Sequence, residues 1–233
     1  MNLSLKYFYP ITPLIILLTY FSAFKKGNLT CDHYLRNTFL YILSIYCIFI
    51  SSMNYEKENN INNGVFTIGG LFVTIGLIIF MHYTKNILLK HLCLLFIIIY
   101  LGITSYQFIS RFDIELIQQT IIRVLLALVF CIFFVSLFGH LLKDKGYKYL
   151  LYLFFLLFIV YLIDMFFISR EHNIIYSYLF ICLFIGFLMY DIKNILKRKE
   201  SCNESTVDYI DTSLDIFLDT LTLFKQGLLI SDD

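Results

Sequence analysis

The sequence predicts an all-α polytopic membrane helix bundle, with a seven-helix core and one extra hydrophobic segment at the amino end. Three observations predict it. Of the 233 residues, 59% are hydrophobic and only 15% charged, whereas soluble chains carry about 25% charged residues, so the apolar excess must face lipid. Eight apolar stretches follow one another with short polar connections between them. Lys and Arg alternate between rich and poor connections along the chain, as the positive-inside rule requires of successive loops.

Crossing a hydrocarbon layer of about 30 Å takes about 17–25 apolar residues as helix. Residues 7–24 come first, with Pro10 and Pro13 near the start. A single Lys6, an apolar run and small residues at Ser22–Ala23 fit either a cleaved signal peptide or an uncleaved or half-inserted helix. Cleavage would break the charge alternation, so the uncleaved helix is the expectation. Segments 37–53 and 64–82 follow, and Gly69, Gly70 and Gly76 in the latter let helices approach closely. Then come 88–108, 116–141 (with Arg123 inside it), 148–168 (with Asp164), 174–194 (ending beside Asp191) and 209–230. Connections 54–63, 143–148 and 169–173 are too short to hold a soluble domain. The expected division is an N-terminal extension over 1–34 and a seven-helix membrane domain over 35–233.

The connections 25–36, 83–90, 143–148 and the one leading out of 174–194 hold twelve Lys and Arg between them, against three in the other connections. Glu56, Glu58, Asp113, Glu115 and Glu171 all fall in the poor set. This places 25–36, 83–90, 143–148 and 195–208 in the cytoplasm. The sequons at Asn28 and Asn203 would then be unmodified, and Asn2 lies too near the membrane for ready glycosylation. A net charge of +1 gives no basic surface for nucleic acid. Cys31, Cys47, Cys93, Cys131, Cys182 and Cys202 stand singly, with neither the paired spacing of a zinc site nor a disulfide framework, and read as packing residues.

Charges inside spans carry the functional signal, because an ionised side chain at mid-membrane costs at least about 2.5–3.5 kcal/mol. They gather at the carboxyl end. Asp208, Asp211, Asp215 and Asp219 are spaced three, four and four apart. At the helical period, Thr212, Thr222 and Gln226 join them on one stripe about 100° wide. Ile210, Leu214, Phe217, Leu218, Leu221 and Leu228 cover the rest. A helix lying on the membrane surface would present Lys and Arg to anionic headgroups. An acidic stripe instead belongs in a bundle interior or a water-filled cavity. Asp191, on the preceding segment, is the natural partner, since consecutive elements joined by a short link are usually neighbours. Two carboxylates sharing a low-dielectric site do not both stay ionised, which makes such a pair a pH sensor, a cation site, or both.

Tyr190-Asp191 and Ser213-Leu-Asp-Ile-Phe-Leu-Asp219-Thr-Leu-Thr-Leu-Phe224 resemble two motifs of the transmembrane Bax-inhibitor-motif proteins, the Bax inhibitor-1 or lifeguard family. These are the Tyr-Asp step ending the sixth helix and the SLxLFLDxxxLF stretch of the seventh. Residues 33–46 are loosely similar to the entry into the first helix. The resemblance covers about 35–230 and is specific over 174–230. It implies a pH-sensitive calcium leak in which Asp191 and Asp219 control the pore, with Asp215 in support. Calcium would be the transported ion, held transiently by Asp191 and Asp219, with no other cofactor. It also implies an anti-cell-death role in the endoplasmic reticulum or another endomembrane, or the plasma membrane in a bacterium, and membrane partners in cell-death or calcium signalling. Two departures stand out: Ile192-Lys193 replaces the family's Thr-Gln, and segment 64–82 lacks the family's latching Arg. Lys193 and Arg123 are the substitute counter-ions. A non-conducting scaffold that regulates apoptosis or ion-channel partners is the alternative.

Arg123 is either a snorkelling end residue or that counter-ion. Asp164 reads as an interfacial acid, and His82, His91 and His140 as polar-tipped rings at cytoplasmic boundaries. No enzyme is expected: no HExxH helix is present, no Ser–His or Cys–His arrangement is recognisable, and the aspartate spacing matches no protease motif. Lys225 lies off the polar stripe, unlike the lysine of a light sensor.

Overall fold

The computed structural model describes residues 8–25, 28–59, 64–143, 145–167, 173–203 and 207–231. Asn2, Lys6, Lys26, Arg170 and Glu171 lie outside them, as does the side chain of Asp164. Among the described residues eight α-helices are formed: α1 (Phe8–Ala23), α2 (Tyr34–Asn59), α3 (Gly64–Tyr83), α4 (Ile87–Ile109), α5 (Ile114–Phe138), α6 (Gly146–Phe167), α7 (Asn173–Glu200) and α8 (Ile210–Ser231). Each matches one expected apolar segment. α2 and α7 run further than their segments, through Glu56 to Glu58 and Lys197 to Glu200, because Glu, Lys and Arg are good helix formers that carry the helix past the end of the apolar run. Between α1 and α2 the chain makes a two-stranded antiparallel hairpin, β1 (Phe24–Lys25) and β2 (Asn28–Leu29).

Among the described residues four helices are long and apolar enough to cross a membrane: Tyr34–Asn59, Ile87–Ile109, Ile114–Leu141 and Ile174–Glu200. α1, α3 and α6 supply shorter apolar stretches, Ile11–Ala23, Gly69–Tyr83 and Gly146–Val160. The chain divides into two compact units, Met1–Arg111 with Arg198–Phe217, and Phe112–Lys197 with Leu218–Asp233.

In the first unit α2 packs on α1 and on α4. Hydroxyl pairs join α1 to α2: Thr12 and Ser51 at 2.9 Å, and Thr19 and Ser44 at 2.7 Å. Such side-chain bonds replace water inside lipid and hold helices that have no hydrophobic preference for each other. α4 meets α2 through Gly102, where a Cβ would lie 2.6 Å from the Phe49 carbonyl oxygen. Ile45, Ile97, Ile98, Leu214 and Phe217 are buried around this contact. The Phe217 ring meets Tyr46 and Phe49 edge-on, with centroids 5.1 and 5.3 Å away. Phe21 and Phe72 point outward and are largely exposed, as lipid-facing rings should be.

In the second unit α6 meets α7 through rings, with Phe154 against Phe180, Phe184 and Phe187. Gly227 of α8 receives Thr120 of α5; a Cβ there would lie 2.9 Å from the threonine methyl. Leu125, Leu126, Val129, Phe130 and Phe133 leave one side of α5 exposed and wholly apolar. A surface of this kind requires lipid.

Candidate functional site

α8 begins in the first unit and ends in the second, and it is buried on both of its arcs. Leu214, Phe217, Leu221 and Leu228 of the apolar arc are buried, and so are Thr212 and Asp219 of the polar stripe. Buried residues thus lie on both arcs, whereas a helix lying on a membrane surface would leave its polar arc in water. The expected stripe is not buried throughout, since Asp215 is exposed.

The start of α8 is fixed by a charge cluster. Asp208 caps the helix, its Oδ1 accepting from the backbone N–H of Ile210 at 2.9 Å and of Asp211 at 3.3 Å. Its other oxygen pairs with the Lys90 ammonium, which also lies 3.1 Å from Asp211 Oδ2. Lys90 is buried one turn into α4, after Asn86 caps that helix by accepting from Leu88 and Leu89. Asp208 and Asp211 are three residues apart, so both carboxylates face one ammonium. Arg198, near the end of α7, donates to the buried Thr212 hydroxyl at 2.6 Å.

Beside this cluster the buried Tyr209 closes a hydroxyl and amide network. Its phenol donates to the Thr30 carbonyl and accepts from Asn37 Nδ2 at 3.3 Å. Asn37, fully buried, also donates to the Asp32 carbonyl at 2.8 Å and accepts from Ser22. The Tyr209 ring stacks between Tyr34 and Tyr41, at 5.1 and 5.4 Å. Next to it Tyr41 donates to His91 Nε2 at 2.9 Å, while His91 Nδ1 donates to the Ile87 carbonyl at 2.7 Å. His33 turns the chain into α2 with a φ of 55°, a left-handed conformation uncommon outside glycine.

One reading of the cysteines is corrected. Cys31 and Cys202 form a disulfide, with Cα atoms 5.9 Å apart and 171 residues between them in sequence. Spacing along the chain carries no signal for so distant a pair. Cys47, Cys93 and Cys131 are buried packing residues, and Cys182 is free and exposed. The disulfide joins connections 25–36 and 195–208, and the Lys90–Asp208 pair joins 83–90 to the latter. Connection 143–148 is tied to the end of α7, where Tyr190 donates to the Lys143 carbonyl at 2.9 Å and Lys193 donates to the Leu142 carbonyl.

Of the residues expected to form the site, Asp191 is half-buried in α7 and Asp219 is buried in α8, and both belong to the second unit. Asp215 belongs to the first. Of the expected counter-ions, Arg123 donates to the Ser231 hydroxyl at 2.8 Å, and Lys193 makes the carbonyl contact just described. Lys90, which sequence reasoning counted only as a loop cation, is the ammonium that meets two α8 acids. Among the described residues no group of three or more His, Cys, Asp or Glu side chains is gathered to hold a metal ion.

The family model described as Inhibitor of apoptosis-promoting Bax1 matches residues 14–230. Neither the curated proteins nor the solved structures give a match. The match and the long apolar helices make the chain an integral, multi-pass membrane protein.

Proposed function

The chain belongs to the family of inhibitors of apoptosis-promoting Bax1, and from that membership we propose that it is a pH-sensitive calcium leak controlled by aspartates within the membrane. The observation that carries this reading is Asp219, a carboxylate buried in the middle of the apolar helix α8. A buried acid is costly in lipid and is usually kept for an ion or proton path. Carboxylates replace part of the hydration shell of a hard cation such as calcium. Asp191 and Asp219 are the control pair, with Asp215 one turn before Asp219 on the same stripe. Calcium is passed and not stored, so two carboxylates met in turn suffice. In a eukaryotic or viral setting the leak would lower calcium in the endoplasmic reticulum or another endomembrane and thereby restrain cell death.

Purified protein in calcium-loaded vesicles tests the reading. Slow calcium efflux down its gradient, above the rate of empty vesicles and dependent on pH, is the expected result. Efflux equal to that of empty vesicles at every pH from 5 to 8 would leave a non-conducting scaffold, acting on cell-death or ion-channel partners, as the function.

A further inference from the structure

We propose that the Cys31–Cys202 disulfide is a thiol–disulfide exchange site, opened by a protein dithiol or by glutathione, which decides how firmly the linker residues 207–209 before α8 stay fastened to the connection between α1 and α2. Three observations carry it. Both cysteines are half-buried, so a reductant reaches the sulfurs without unfolding the chain. They sit in two of the most basic connections, where Lys25, Lys26 and Arg36 outnumber Asp32, the ion-pair partner of Lys25, around Cys31, and Lys197, Arg198 and Lys199 outnumber Glu200 before Cys202. Positive neighbours stabilise the thiolate that exchange requires. In the topology that the basic connections predict, both cysteines face the cytoplasm, where glutathione and thioredoxin pools keep ordinary thiols reduced, so a disulfide there is one that cycles.

The exchange balances without any further reactant. A reductant thiolate attacks one sulfur, the S–S bond breaks as a mixed disulfide forms, and the other cysteine leaves as a thiolate that takes a proton. A second reductant thiol then displaces the protein from the mixed disulfide. The protein gains two electrons and two protons, and the reductant departs as its own disulfide.

What opening releases follows from the neighbouring contacts. Once the disulfide is broken, the linker is held to the α1–α2 turn by Tyr209 on Thr30 and Asn37, and to α4 by Asp208 on Lys90. Cys202 and Asp208 are six residues apart, so freedom at the first loosens the second. The covalent clasp and the ion pair therefore act on one segment, and redox state sets how firmly the start of α8 is held. None of this depends on what the protein conducts.

The test uses the full chain in its own membranes. Free thiols are trapped with N-ethylmaleimide before solubilisation, across a series of reduced-to-oxidised glutathione ratios, and the Cys31–Cys202 peptide is quantified by mass spectrometry. The pair should pass from disulfide to dithiol and back within that series. Amide hydrogen exchange over 28–36 and 207–211 should rise at least tenfold on opening, while 94–103 in α4 stays unchanged. Cys202→Ser should show the fast exchange whatever the reductant, and Cys47→Ser should behave as the parent chain. A pair oxidised at every ratio, a pair reduced at every ratio, or exchange equal in both states would each overturn the proposal.

Discussion

Lys90 and Asp208, 118 residues apart in the sequence, form an ion pair that fastens the start of α4 to the start of α8. The ammonium is 9% exposed and the carboxylate 25%, so water screens only one partner, and Asp211 supplies a second carboxylate to the same charge. The arrangement replaces nothing the family motif requires. It stabilises the first turn of the helix on which the acidic stripe is carried.

Removing the cation alone should be worse than removing the whole cluster. Lys90→Met leaves Asp208 and Asp211 without their shared cation, and breaking a buried pair from one side costs about 3–5 kcal/mol. With the carboxylates a quarter exposed, about 2–3 kcal/mol is expected. Adding Asp208→Asn and Asp211→Asn to Lys90→Met should recover at least half of the loss, because no unpaired charge remains. Thermal unfolding in detergent measures both. A triple variant less stable than Lys90→Met would show that the acids stabilise the fold without their counter-ion.

Tyr209→Phe keeps the ring between Tyr34 and Tyr41 but removes the hydroxyl that Thr30 and Asn37 both use. Leaving a buried carbonyl and a buried amide without their partner costs about 1–3 kcal/mol. Tyr209→Ala, which also empties the ring's site, should cost about 3–5 kcal/mol. Equal stability of Tyr209→Phe and the parent chain would mean that stacking alone holds the linker.

Gly102→Ala puts a methyl group against the α2 backbone, where no side chain can move aside. Overpacking of this kind costs about 1–3 kcal/mol. Gly69, expected to sit at a close helix approach, has nothing within 4 Å of an added carbon, so Gly69→Ala should be neutral or gain up to about 1 kcal/mol from helix propensity. Thermal unfolding of the two variants side by side checks the contrast. A tolerant Gly102 would mean that α2 and α4 separate easily.

The fold was legible because lipid imposes a length and a charge rule on every span. All eight apolar segments became helices, and the error was confined to ends such as Lys197 to Glu200, where the helix continues into water after the apolar signal stops. The burial of Asp219 was legible for the same reason, since an acid within a span is tolerated away from lipid, whereas Asp215 on the same stripe is exposed. Lys90 was not legible, because a lysine near a span end fits the loop-charge count equally well, and the acids that hold it lie in another part of the sequence. Cys31 and Cys202 left a faint trace. Of the six cysteines these two stand in the polar connections, and both connections are basic-rich, which is compatible with pairing without naming it.

The last prediction concerns the acids of the proposed leak. If Asp191 and Asp219 share a low-dielectric path, they take up a proton together as the pH falls, so calcium flux should change between about pH 5 and 8. Asn at either position keeps size and hydrogen bonding and removes the titration. Asp191→Asn or Asp219→Asn should therefore flatten the pH response of vesicle efflux. Asp208→Asn is a poor control, because Asp208 holds Lys90 and caps α8. Asp113→Asn is the better one: Asp113 precedes α5, is exposed, and makes no side-chain capping bond there. It should leave the pH profile as it is in the parent chain. An unchanged profile in both inner variants, with thermal unfolding like that of the parent, would make the two aspartates structural and move the control of any leak elsewhere in the chain.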